Sequence, residues 1–176
     1  MKTRISILYS FIFLLVFSNI SLAQSDKNAF RALKKLEAKC QVGISHKDYI
    51  SALGDTKFEV NMFLESSKAA KNPELAASLK KAMIHYEMAG KVITYNSSLP
   101  GGGGFLFMVP GPMDTGYEVG KAMLKLYPKA NKNIENGGAL TGEGSPRGVV
   151  DVSALVRIIW QEASAELKKA SFILSE

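Results

Sequence analysis

The chain has one cysteine, Cys40, two histidines, His46 and His85, and one tryptophan, Trp160. A lone thiol excludes an intramolecular disulfide, a Cys-x-x-Cys redox pair, covalent haem attachment and any zinc site built on cysteine pairs. Cys40 reads instead as a small apolar residue buried near a helix end. Neither histidine has a glutamate three residues before it, so the Glu-x-x-His pairs of di-iron bundles are missing. Gly-x-Ser-x-Gly is also missing. Ser78 precedes Lys81 by three residues but lies inside an amphipathic stretch without companion acylation motifs, and it reads as helix surface. The four glycines 101–104 have no strand signal before them and no Lys-Ser or Lys-Thr after them, which excludes a phosphate-binding loop. Acidic residues are only slightly outnumbered, 16 against 22 basic. The excess falls short of the clustered basic face of a nucleic-acid binder, so no nucleic acid is expected as a partner.

Long apolar runs are missing too. The best, Ile5 to Phe17, is shorter than the roughly 20 residues that span a bilayer. Lys2 and Arg4 precede it, and Ser21-Leu22-Ala23 places small residues at −3 and −1 of a signal-peptidase site. The expectation is a cleaved secretory leader, residues 1–23, and a single helical domain, residues 24–176, delivered to the periplasm or secreted. Gln24 stands where a lipoprotein would carry cysteine, and no twin arginine precedes the apolar run. No transmembrane helix is expected in the mature chain.

Helical periodicity dominates what remains. Ser25 or Asp26 caps a first helix with Phe30, Leu33, Leu36 and Cys40 inward and Gly43 at its end. Ser45-x-x-Asp48 opens a second helix, running to about Ser66, with Tyr49, Leu53, Val60, Phe63 and Leu64 inward. Gly54 inside it marks either a close helix crossing or a short break. Asn72-Pro73-Glu74 starts a third helix whose stripe of Leu75, Leu79, Ala82, Met83, Tyr86, Ala89 and Ile93 continues to about Tyr95. Residues 98–112 are rich in glycine and proline and read as a loop. Asp114 or Thr115 caps a short fourth helix, with Tyr117, Met123, Leu124 and Tyr127 on its buried side, stopped by Pro128. A polar, glycine-rich loop follows to Gly148. Asp151 then caps the last helix, striped by Val152, Leu155, Val156, Ile159, Ala163, Leu167, Ala170 and Leu174.

These stripes imply an all-α fold, an antiparallel bundle of four main helices and one short helix with two long glycine-containing loops. An elongated hairpin that must dimerise is the alternative. Met62, Met83 and Met123 read as core filler, His46 as an exposed first-turn residue, and His85 as half-exposed or hydrogen-bonded.

No cofactor is expected. The surface hints are the apolar loop residues Phe105 and Phe107, the basic neighbourhood of Lys121, Lys125 and Tyr127, and Trp160 at the margin of the last stripe. They suggest a non-enzymatic exported domain that binds a partner protein or small ligand, with weak attraction to anionic surfaces. Two other classes stay open: a bundle holding a metal or a non-covalent haem at His85, and a hydrolase assembled from distant residues such as His85 and Glu162.

Overall fold

The computed structural model describes residues 25–98, 105–108, 125–127, 134–136 and 148–175. The leader and its cleavage site lie outside them. The described chain is an all-α helical bundle carrying a small sheet. Helix α1 is Ser25–Val42, α2 His46–Leu64, α3 Ser67–Lys71, α4 Pro73–Ser98 and α5 Val152–Ile173.

Local chemistry sets the helix ends. Gly43 has φ +88, the left-handed backbone that lets α1 stop and the chain reverse. The Asp48 N–H donates to Ser45 Oγ at 3.2 Å, while the Ser45 hydroxyl donates to the Asp48 carboxylate at 2.6 Å. Asn72 Oδ1 accepts from the Leu75 N–H at 3.1 Å, so Pro73 begins α4 with its missing N–H harmless. Helix α4 runs on to Ser98, three residues past the expected end, and α2 stops at Leu64, leaving room for the unanticipated α3.

Three contacts fix the helix directions. Lys68, just after α2, meets Asp26 at the start of α1, 3.1 Å apart. His46 at the start of α2 lies 3.2 Å from Thr94 near the end of α4. Glu37 in α1 accepts a hydrogen bond from Ser164, midway along α5, while Cys40, further along α1, shares a cleft with Arg157, earlier on α5. Each pair is antiparallel. Helix α4 packs most extensively on α5, and α1 on α2. Burial of Leu33, Leu36, Tyr49, Val60, Phe63, Leu75, Leu79, Tyr86, Leu155, Ile159 and Leu167 makes one continuous core.

Three expectations need correction. Helix α2 passes through Gly54 unbroken, and a Cβ there would meet nothing within 4 Å among the described residues. The close crossing is at Gly90 of α4, where an added Cβ would come to 2.9 Å from Leu53 Cδ2. Ser78 is buried, since it shares a face with Leu75, Ala82 and Leu79 at helical spacing. Met62 is exposed, being rotated off the Val60–Phe63 face.

Strands appear where loops were expected. Phe105–Met108 (β1), Ile134–Asn136 (β2) and Gly148–Asp151 (β3) form an antiparallel sheet in the order β1-β3-β2. Phe105 pairs with Asp151 and Ile134 with Val150. Three- and four-residue strands are too short to display alternation in a sequence, and distant pairing defines them. Of the expected fourth helix, residues 125–126 are helical, Tyr127 is buried as expected but lies just past the helical residues, and the rest lies outside the described residues. Among the described residues no helix is long and apolar enough to cross a membrane.

Candidate functional site

The polar chemistry of the bundle collects between its first and last helices. The face of α1 that buries Leu33, Leu36 and Cys40 also carries Glu37, which is 6% exposed. A carboxylate so placed needs partners, because burying an unpaired charge costs several kcal/mol. Ser164 of α5 donates to its Oε1. Lys34, one turn earlier on α1 and half-exposed, holds Oε2. Lys34 does not line the cleft beside Glu37; it grips the carboxylate from outside.

That cleft has a volume of about 340 Å³ and is lined by Glu37, Cys40, Gln41, Tyr86, Arg157, Trp160, Gln161 and Ser164. Tyr86 of α4 is 0% exposed, and its hydroxyl has no hydrogen-bond partner among the described residues. Burial pushes this phenol well above the usual tyrosine range, and the neighbouring Glu37 and Cys40 push the same way. Tyr86 lines the cleft together with both of these neighbours. The hydroxyl is therefore neutral, able both to donate and to accept, and unused.

Trp160 forms the aromatic wall. Its indole N–H donates to the Tyr49 hydroxyl at 3.4 Å, and the two rings lie 5.9 Å apart at 38°. Tyr49 donates in turn to the Tyr86 carbonyl at 2.7 Å. With its N–H engaged, Trp160 offers a neighbour its apolar ring surface. Cys40 is held as a thiol: burial pushes its pKa up to about 12, helped by the Glu37 charge. It contributes a small neutral lining rather than a nucleophile.

A larger groove, about 760 Å³, runs between α2 and α4 along Ile50, Leu53, Gly90 and Tyr95. Its polar side chains include Lys57 and Glu87, which pair with each other at 2.6 Å. Both cavities are lined mostly by apolar surface, and the α1–α5 cleft differs in having a buried hydroxyl without a partner among its lining residues.

A second polar cluster surrounds His85. Tyr127 is buried, with its hydroxyl 2.5 Å from His85 Nδ1 and the rings 5.5 Å apart. His85 titrates below its ordinary value because burial outweighs the opposing charges of Glu162 and Glu166. Burial likewise pushes Tyr127 up to about 12, with Glu162 adding to it. Among the described residues no group of three or more His, Cys, Asp or Glu side chains is placed to hold a metal ion.

The residues singled out from sequence are dispersed. Trp160 stands in the cleft wall, Tyr127 is buried against His85, and Lys125 is exposed near it in the chain. Phe105 and Phe107 belong to β1, and Lys121 lies outside the described residues. Sequence reasoning missed Glu37, Tyr86 and Ser164 as site residues. The one available signal was Glu37 itself, an acid one step from Leu36 on the Leu33–Cys40 face. Comparison with protein-family models, curated proteins and solved structures found no match to this chain.

Proposed function

We propose that this protein is a non-enzymatic, exported helical-bundle protein that binds a small molecule in the α1–α5 cleft. The observation that carries this reading is the Tyr86 hydroxyl, fully buried and unpartnered beside the buried Glu37 carboxylate in one cavity. An unpaired buried hydroxyl costs a protein about 1–3 kcal/mol, a cost that a ligand bearing a matching group removes. The cleft volume falls at the lower end of the few hundred Å³ typical of small-molecule sites. Trp160 supplies apolar surface of the kind that dominates such linings.

Trp160 is the sole tryptophan, so intrinsic fluorescence reports on the cleft directly. A metabolite library screened on the mature protein should yield compounds that both raise its melting temperature and shift Trp160 emission. Stabilising compounds that leave the emission unchanged, or a library without a single hit, would refute the reading. Export carries its own test. Intact mass of protein recovered outside the cytoplasm should correspond to a chain beginning at Gln24.

A hydrolytic reading draws on one further observation, that the charges of Glu162 and Glu166 act on His85 with Tyr127 bonded to its ring. A hydrolase screen repeated on His85→Ala and Glu162→Gln decides it, since activity unaffected by either removes these residues as catalysts.

A further inference from the structure

The walls of the cleft specify a charge pattern, and the inference drawn from it rests on the small-molecule reading above. Glu37 presents a carboxylate at depth. Ser164 and Lys34 each occupy one of its oxygens, but a carboxylate offers about four acceptor positions, so these two donors leave acceptor capacity unused. Lys34 is attached from outside the cleft and remains half-exposed. Its ammonium keeps contact with water, and a ligand ammonium that took its place would leave the buried carboxylate still paired. Beside the carboxylate stand the unpartnered Tyr86 hydroxyl, which can accept, and the ring of Trp160. Carboxylate, phenol oxygen and indole face are the three groups that attract an organic ammonium.

The opposite sign stands at the edge. Arg157 lines the same cleft from an exposed position on α5, one helical turn before Trp160. A guanidinium is charged at every accessible pH and matches a carboxylate in a two-pronged fashion. Gln41 and Gln161, also exposed, add neutral donors and acceptors beside it. The cavity is of the size of a single amino acid or a slightly larger compound.

We propose that the ligand of the α1–α5 cleft is a small zwitterion, its ammonium group directed inward to Glu37, Tyr86 and the face of Trp160, its carboxylate directed outward to Arg157. An apolar acyl chain would leave the Glu37 acceptor positions unmet, and a neutral sugar could fill them with hydroxyl donors but would match neither the Glu37 nor the Arg157 charge. A simple anion would bring like charge against the buried carboxylate.

The experiment uses matched triplets on the mature protein: phenylalanine, phenethylamine and 3-phenylpropionate, and leucine, isoamylamine and isocaproate. Titration is followed by Trp160 emission and calorimetry. The zwitterion of at least one triplet should bind more tightly than both of its truncated forms, each by about tenfold or more. Arg157→Gln should weaken the zwitterion and leave the amine unchanged; Arg157 is exposed, so this variant does not threaten the fold. Glu37→Gln should weaken zwitterion and amine together and leave the acid unweakened. If Glu37→Gln fails to fold, Tyr86→Phe replaces it and should weaken the amine. Tighter binding of the acids than of the zwitterions overturns the charge pattern. So does a set of library hits that shift Trp160 but carry no ammonium group, and in that event small-molecule binding itself survives. Silence of Trp160 towards every triplet and every library compound overturns both.

Discussion

The indole N–H of Trp160 is 3.4 Å from the hydroxyl of Tyr49, which itself donates to the Tyr86 carbonyl at 2.7 Å. One hydroxyl thus ties α5 to α2 and α2 to α4, and it sets the tilt of the aromatic wall from behind the cleft. In Tyr49→Phe both links disappear while the ring stays. We expect a loss of about 1–3 kcal/mol, because the indole N–H is left without its acceptor. Urea unfolding followed by Trp160 emission reads the stability and the changed surroundings of the indole together. An unchanged midpoint and spectrum would show that neither bond contributes.

Leu155, Ile159 and Leu167 are almost completely buried on the inner face of α5. Truncating any one to alanine should cost about 2–5 kcal/mol, the range for large-to-small changes in a packed core. Thermal unfolding checks this. Melting temperatures equal to the parent for all three would mean that α5 faces the other way.

Two helical glycines should respond differently to the same change. Gly54→Ala places a methyl in open space in an exposed mid-helix position, so it should gain about 0.5–1 kcal/mol from helix propensity alone. Gly90→Ala sets the same gain against the displacement of Leu53 Cδ2, 2.9 Å from the new carbon. It should stabilise less than Gly54→Ala, or destabilise. Paired denaturation curves decide, and a larger gain at Gly90 would contradict the close crossing.

His85 makes stability depend on pH. Its pKa in the fold lies below the ordinary 6.5, burial being the chief cause. The unfolded chain therefore takes up the proton first. The contribution is fully present above about pH 6.5 and is lost as pH falls from there through the lower folded value. Between about pH 7.5 and about pH 5 the parent should lose more stability than His85→Gln. Parallel pH profiles would remove His85 as the source.

The helices were legible in the sequence because their signals are local. Ser45, Asn72-Pro73 and Gly43 each act within one turn, and the stripes of α4 and α5 repeat for several turns. Trp160 stood out as a margin residue and proves to be a wall of the cleft. Glu37 did not stand out. It sits in a run with Lys34 and Lys35 that looks like an ordinary solvated face, and its partner Ser164 is 127 positions away. Tyr86 read correctly as core, but no sequence pattern tells a satisfied buried hydroxyl from an unsatisfied one. The sheet was hidden for the same reason as Glu37, since β1 and β3 are defined by each other across a long stretch of chain.

That same separation of 127 positions between Glu37 and Ser164 gives the cleft a place in time. Helices α1, α2 and α4 can associate through contacts close along the chain, but the cleft has no second wall until α5 arrives. Each doubling of such a span adds only about 0.6 kcal/mol of closure cost, so the delay is one of order and rate rather than of final stability. A chain synthesised amino end first therefore completes this cleft as one of its last acts. A molecule cut short before Val152 would retain three of the main helices and possess no cavity, so a closed cleft certifies that synthesis and folding have both run to completion.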